Sequence, residues 1–170
     1  MKYINFYDSP LGKITLASDG ESLTGLWFDS QKYYGNGLLN DAKITDLQIF
    51  ETAKKWLDVY FNGKEPNFRV PIVFSDTDFR VSVWKLLINI PYGETVTYKS
   101  LAEKIAKQTG KKSMSAQAVG GAVGHNPISI IVPCHRVVGS DRSLTGYAGG
   151  VGKKLELLRL EGVNLTVEKE

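Results

Sequence analysis

Residues 97–124 read TYKSLAEKIAKQTGKKSMSAQAVGGAVG, and they decide the architecture of the second half of the chain. Thr97 can cap a helix over Tyr98–Lys107, in which apolar residues recur at helical spacing. A polar connection leads to a second predicted helix from about Ser115 to Gly124. Two short helices joined in this way are typical of a helix-turn-helix, whose second helix enters a groove of DNA.

The second of these helices has an unusual composition, because Gly120, Gly121 and Gly124 each cost about 1 kcal/mol relative to alanine. Close packing against another helix would explain them, and so would close approach of the helix backbone to an external groove. Proteins that read the major groove need long polar side chains, and Gln117 is the only one in this helix. The composition therefore favours binding that does not depend on base sequence, from the minor-groove side.

The N-terminal third is predicted to form short strands and one helix. Strand-like residues occur at Tyr3–Tyr7, Lys13–Ala17 and Leu23–Phe28, and turn-rich clusters separate them. From Thr45 the apolar spacing becomes that of an amphipathic helix, which Asn62 and Gly63 end.

The extended, proline-punctuated stretch Pro66–Thr77 is the predicted domain junction. It separates an N-terminal domain, residues 1–77, from a C-terminal domain, residues 78–170. The second domain is predicted to be mostly helical, and a helix over Leu155–Leu160 closes it.

Charge is distributed unevenly along the chain, although the net charge is only +3. Residues 1–77 contain 8 Lys/Arg and 10 Asp/Glu, whereas residues 78–164 contain 12 Lys/Arg and 6 Asp/Glu. A basic second half indicates a polyanionic partner. The alternative is that the charges lie on a solvated surface and are unevenly distributed by chance.

Several features bear on the compartment and on metal binding. A single cysteine cannot form an internal disulfide, the first residues lack a signal peptide, and no apolar run could span a membrane. We therefore expect a cytoplasmic protein, associated with the nucleoid in a prokaryote. With only His125 and His135 beside one cysteine, no structural zinc site is expected.

The segment Ile130–Gly139, IIVPCHRVVG, contains the chemically interesting residues. A buried apolar strand over Ile128–Val132 is predicted to end at proline, so that Cys134 lies where the chain emerges into a turn. A neighbouring imidazole and a neighbouring cation lower the pKa of a thiol, and His135 and Arg136 follow directly.

The geometry between Cys134 and His135 stays open at the level of sequence. Adjacent residues of a strand point to opposite faces, so a water between thiol and imidazole is expected if the chain is extended. A third group should orient the imidazole, and Glu161 is one candidate. The alternative is that Cys134 is a small buried hydrophobic residue, and His125 is read as structural or solvent-facing.

Pro133–Val137 resembles the active-site signature of the O6-alkylguanine-DNA alkyltransferase family. Other segments resemble further motifs of that family in the same order: Ser9–Gly12, Ile90–Tyr98, Ala118–Ala122, Asn126–Pro127, Thr145–Gly150 and Leu160–Gly162. The resemblance covers nearly the whole chain and is tightest over residues 79–162. It implies an α+β protein, with a ribonuclease H-like N-terminal α/β domain containing a small antiparallel sheet. A mostly helical, winged-helix-like domain with the helix-turn-helix would follow.

The resemblance also implies catalytic roles. Cys134 would accept the alkyl group, His135 would deprotonate it through a water, and Glu161 would hold His135. Tyr98 would assist proton transfer as guanine leaves, and Asn126 would brace the turn carrying the cysteine.

Substrate contacts are implied as well. Tyr147 would line the pocket, the N–H of Ala148 would bond the O6 atom, and Gly149 belongs to the same loop. The backbone carbonyls of Cys134 and Val137 would read the exocyclic amine of guanine.

The implied partner is double-stranded DNA carrying O6-alkylguanine, bound by a monomer without cofactor, metal or membrane. The residues expected to contact DNA are Ala116, Gln117, Ala118, Gly120, Gly121 and Arg136. The family commonly has an arginine where this chain has Gln117, so base flipping would lose a stacking cation.

The activity implied is irreversible, single-turnover transfer of an alkyl group to Cys134, with O4-alkylthymine left open as a second substrate. One alternative is a cysteine hydrolase that uses Cys134, His135 and Glu161. The other is a non-catalytic helix-turn-helix binder of alkylated DNA, and the presence of the cysteine counts against it.

Overall fold

The computed structural model describes residues 2–29, 31, 41–140 and 150–165, and its chain divides into two compact units. The first unit is Met1–Phe74 with Pro127–Ile131, and the second is Ser75–Asn126 with Val132–Glu170. In the described part, no helix is both long and apolar enough to cross a membrane.

The first unit contains a four-stranded sheet in the order β3-β2-β1-β4. Its strands are β1 (Tyr3–Ser9), β2 (Gly12–Ser18), β3 (Leu23–Phe28) and β4 (Lys43–Ile44). The first three pair antiparallel, as the family resemblance implied, while β4 pairs parallel with β1. The sequence did not predict β4, since two exposed residues show no periodicity.

Helix α1 (Gln48–Phe61) packs against this sheet through its buried face. The buried residues recur at helical spacing: Ile49, Phe50, Ala53, Leu57 and Tyr60. The helix ends at Asn62, and Gly63 follows with φ of 79°.

The second unit consists mainly of helices, and hydroxyl groups cap the first turns of three of the four that follow. The helices are α2 (Asp78–Ile88), α3 (Tyr98–Thr109), α4 (Ala116–Gly124) and α5 (Val151–Leu160). The hydroxyls of Thr77, Thr97 and Ser115 accept from the backbone N–H three residues ahead and so satisfy donors that the helices leave open. Short strands β5 (Val96–Thr97) and β6 (Val137–Val138) pair in parallel.

The helix-turn-helix is formed by α3 and α4, which pack on each other and on α2. Gly110, with φ of 70°, ends α3 in the left-handed conformation that favours glycine. Trp84 of α2 is buried and donates from Nε1 to the carbonyl of Ala122 at 2.8 Å. The predicted α+β class and the helix-turn-helix are therefore confirmed.

The predicted strand over Ile128–Val132 is wrong. Only Ile128 forms a bridge, to Leu26, and Ile130 has a φ of 69° that no strand residue adopts. Residues 127–131 instead run alongside β3, where Leu26 donates to the carbonyl of Pro127 and accepts from the N–H of Ser129. This pairing explains why these residues group with the first unit, although the sequence placed them in the second domain.

Candidate active site

Cys134 begins a single 3-10 turn, Cys134–Arg136, so the expected extended geometry with alternating faces is also wrong. Cys134 is 4% exposed. Asn126 braces this turn, because its side-chain amide donates to the carbonyl of Val132 at 2.8 Å. Burial raises the pKa of the Cys134 thiol, while a hydrogen bond from the Asn126 side chain and the positive charge of Lys154 oppose that rise.

His135 is fully buried and is brought together with Glu161, as the sequence proposed. Its Nε2 donates to Oε2 of Glu161 at 2.5 Å. Burial lowers the pKa of the imidazole despite the nearby carboxylate, so the ring is neutral at pH 7. With Nε2 carrying the proton, Nδ1 is the nitrogen that can accept one, as a general base requires.

Glu161 follows α5 as its C-cap and accepts three hydrogen bonds from two other segments of the second unit. Besides His135, the donors are Arg136 Nε at 2.7 Å and the backbone N–H of Gly93 at 3.0 Å. Burial disfavours the carboxylate, yet the hydrogen bonds from His135 and Arg136, together with the positive charge of Arg136, outweigh burial and lower the pKa of Glu161 to about 2. The carboxylate is therefore ionised at neutral pH and fixes both the orientation and the tautomer of His135.

Arg136 does not have the position expected of a DNA-binding residue. It is 7% exposed, its Nη1 donates to the carbonyl of Ile90 at 2.6 Å, and its guanidinium lies over the ring of Tyr92. Because it donates to Glu161 and to the carbonyl of Ile90, just after α2, the side chain makes its contacts inside the unit. Its closeness to Cys134 in sequence did not indicate this pairing with the carboxylate.

Lys154 is a part of the site that sequence reasoning missed. It is fully buried, and its Nζ donates to the carbonyl of Val137 at 2.5 Å and lies 5.7 Å from the ring centroid of Tyr98. Burial lowers the pKa of Lys154 to about 8, and the neighbouring Cys134 opposes that change. One signal was available: Lys154 is three and four residues before Leu157 and Leu158, and therefore on the apolar face of α5.

The substrate residues proposed from the resemblance are only partly described. Tyr98 is half-buried at the start of α3. The Val137 carbonyl accepts a hydrogen bond from Lys154 Nζ, and the same nitrogen lies near the Tyr98 ring. Tyr147, Ala148 and Gly149 lie outside the described residues.

The exposed face of α4 contains the residues proposed to meet DNA. Ala116, Gln117, Ala118 and Gly121 are exposed, and Gly120 is half-buried. A Cβ added at Gly120 would make an ordinary contact with the Tyr98 ring at 3.8 Å, and one added at Gly121 would meet no described atom within 4 Å. Packing inside the protein therefore does not require glycine at either position, and the explanation by an external surface remains.

His125 has a structural role at the end of the same helix, because its Nδ1 donates to the carbonyl of Gly121 at 2.7 Å. Among the described residues, no group of three or more His, Cys, Asp or Glu side chains is placed to hold a metal ion.

Comparison with known proteins gives the same result for both parts of the chain. The family model of the 6-O-methylguanine DNA methyltransferase ribonuclease-like domain matches residues 2–74, and that of the DNA binding domain of the same proteins matches residues 78–163. The methylated-DNA–protein-cysteine methyltransferase of Haemophilus influenzae is 41% identical over 162 residues, which cover 95% of this chain and 87% of that protein. The protein of the same name from Mycobacterium bovis is 44% identical over 154 residues, which cover 91% and 88%.

Solved structures agree with these sequence matches. The O6-methylguanine methyltransferase of Mycobacterium tuberculosis has a TM-score of 0.80 at 42% identity, covering 99% of this chain and 97% of that one. A structure of M. tuberculosis OGT in complex with DNA has a TM-score of 0.78 at 42% identity, covering 94% and 92%. By these sequence and structural matches, the chain belongs to the O6-alkylguanine-DNA alkyltransferase (methylated-DNA–protein-cysteine methyltransferase) family.

Proposed function

We propose that this protein repairs DNA by transferring a methyl or larger alkyl group from the O6 atom of guanine to Cys134. It acts as a methylated-DNA–protein-cysteine S-methyltransferase that is consumed in the reaction. The observation that carries this proposal is the hydrogen bond between His135 and Glu161, placed directly after the cysteine in the unit that contains the helix-turn-helix.

The first step is activation of the sulfur. A water molecule passes the proton of the Cys134 thiol to Nδ1 of His135, and Glu161 stabilises the imidazolium that forms. The thiolate then attacks the alkyl carbon, a new S–C bond forms, and the C–O6 bond breaks. Guanine leaves with its electron pair and takes up a proton, for which Tyr98 is the proposed donor.

The product explains why each molecule reacts once. A thioether has no ready route back to a thiol, whereas the thioester of a cysteine hydrolase is released by water. No cofactor is needed, because the substrate contributes its own leaving group.

Binding of the lesion is assigned to α4. Its small exposed residues, Ala116, Ala118 and Gly121, allow the helix backbone to approach the minor groove of double-stranded DNA. The alkylated base must rotate out of the stack to reach Cys134, at a cost of a few kcal/mol. Gln117 would occupy the place that the rotated base leaves in the stack.

We further propose that the protein acts as a monomer in the cytoplasm.

The proposal is tested by mass spectrometry of the protein after mixing with DNA that contains O6-methylguanine. We expect one added methyl group on Cys134, in proportion to the lesion removed, and none on the C134S variant, which should still bind DNA. Product formation beyond one equivalent would instead indicate a hydrolase. DNA binding without a change in protein mass would indicate a non-catalytic binder.

A further inference from the structure

We propose that Lys154 is a positioning residue that stabilises the Cys134 thiolate electrostatically, as its buried counter-ion. The inference rests on the proposed function, in which Cys134 is the alkyl acceptor. It assigns a task to a buried ammonium group that the Cys134, His135 and Glu161 mechanism does not use.

The position of Lys154 supports this role. Its side chain is fully buried on the inner face of α5, and a bond from Nζ to the Val137 carbonyl anchors the ammonium. Val137 directly follows the 3-10 turn that begins with Cys134. The charge is therefore fixed to the same short segment as the sulfur.

The electrostatic coupling runs in both directions. The positive charge of Lys154 favours the ionised form of Cys134, and Cys134 in turn favours the charged form of Lys154. Burial acts against both ions separately, so each is stabilised by the presence of the other.

The other groups around the sulfur do not provide a permanent positive charge. Burial lowers the pKa of His135, so its ring is neutral in the resting protein and becomes charged only by taking the proton of Cys134. The charges of Arg136 and Glu161 face each other across a 2.7 Å contact and largely cancel. Among the described groups, Lys154 therefore supplies a positive charge that is present before the thiolate forms and favours it.

A pH dependence follows from the same pair. Because burial lowers the pKa of Lys154 to about 8, the ammonium is present at neutral pH and is lost as pH rises through that value. At pH values below about 8 the charged Lys154 stabilises the thiolate, and at higher pH this stabilisation is lost.

The test is the ionisation of Cys134 itself, measured without DNA. The ¹³Cβ resonance of Cys134 is followed against pH in the wild type and in K154M, K154R and K153M. Removing the charge in K154M should raise the pKa of Cys134 by about one pH unit or more, with a roughly tenfold loss of iodoacetamide reactivity at pH 7. K154R should keep most of the reactivity, and K153M, altered at the neighbouring lysine of the same helix, should match the wild type.

A second measurement covers the case in which K154M does not fold. In C134S the thiolate cannot form, so the pKa of Lys154, read from its ¹⁵Nζ resonance, should be lower than in the wild type. An unchanged Cys134 titration in folded K154M, or an unchanged Lys154 titration in C134S, would overturn the inference. Neither measurement involves alkylated DNA, so failure of the proposed function would appear separately, as absence of methyl transfer to the wild type.

Discussion

Glu161 joins three segments of the second unit, because one carboxylate accepts from His135, Arg136 and the backbone of Gly93. Its Oε2 holds the imidazole of His135, the proposed general base, and its Oε1 holds the guanidinium of Arg136. Such a carboxylate sets the tautomer of the imidazole and stabilises the imidazolium. Its removal should therefore affect the rate of alkyl transfer more than it affects DNA binding.

The E161Q variant tests this directly. The amide keeps the shape of the side chain but loses the charge, so transfer from O6-methylguanine DNA should slow by about 100-fold or more. The measurement is the single-turnover rate at saturating protein. E156Q, at an exposed carboxylate of the same helix that pairs with Arg159, should transfer at the wild-type rate. A rate for E161Q equal to that of E156Q would contradict the assigned role.

The lowered pKa of Glu161 also predicts that the stability of the protein depends on pH. Contacts with His135 and Arg136 hold its pKa at about 2 in the folded protein, below the ordinary value of 4.5. The stability that this carboxylate contributes is present above about pH 4.5 and is lost as pH falls toward 2, on the order of 3 kcal/mol in all. Urea unfolding of the wild type and E161Q should therefore show a difference at pH 6 that narrows at pH 3. A difference that stays constant with pH would contradict this account.

At the residue scale, the sequence could predict partners that carry a chemical signature and could not predict those that depend on packing. His135 follows the only cysteine, and Glu161 was a candidate because an imidazole beside a nucleophile needs an orienting group. The assignment of Arg136 to DNA stays a prediction, and the burial of its side chain against Glu161 and Ile90, which no periodicity indicates, counts against it. Lys154 was missed because a lysine in a short helix is ordinarily exposed.

At the element scale, α4 combines a poor helix-forming composition with an exposed face. Gly121 has no described atom within 4 Å of an added Cβ. Packing against other described residues therefore does not offset the free energy that this glycine costs the helix. A surface that the helix meets only when bound, such as a DNA groove, would explain it.

The G121A variant separates stability from binding. Alanine should raise the free energy of unfolding by about 0.5–1 kcal/mol, because it removes the glycine penalty without a clash. The affinity for duplex DNA should fall, because the added methyl group holds the helix away from the groove. G152A is the control for DNA affinity, because Gly152 is an exposed glycine of α5 where an added Cβ would also meet no described atom within 4 Å. Unchanged DNA affinity in G121A would remove the argument from close approach.

Element boundaries were predictable where local chemistry sets them. Thr77, Thr97 and Ser115 cap their helices because a hydroxyl can satisfy an open N–H, whatever the rest of the chain does. The run Ile128–Val132 looked like a strand because it is aliphatic. Tertiary pairing with β3 and the positive φ of Ile130 decide its conformation instead, and neither has a local signal.

For the whole molecule, the uneven charge predicts which part of the protein contributes to the salt dependence of DNA binding. Lys111 and Lys112 are exposed in the turn between α3 and α4. Lys55 and Lys64 are exposed lysines of the first unit, which has a net acidic sequence. Only the first pair belongs to the helix-turn-helix.

The double variant K111Q/K112Q should weaken duplex binding and lower the slope of log affinity against log salt by up to about 2, since each phosphate contact contributes about 0.9. K55Q/K64Q removes the same charge and should leave the slope unchanged. Affinity is measured by fluorescence anisotropy across a salt series. Equal slopes for the two double variants would show that net charge, rather than its location, governs binding.

The position of α5 after the active-site turn has a consequence for synthesis. Lys154 and Glu161, which on this mechanism activate the sulfur, are translated later than Cys134 itself. A nascent chain therefore carries Cys134 before the residue that orients its base and the residue that stabilises its thiolate have been made. Alkyl transfer on this mechanism has to wait until α5 docks.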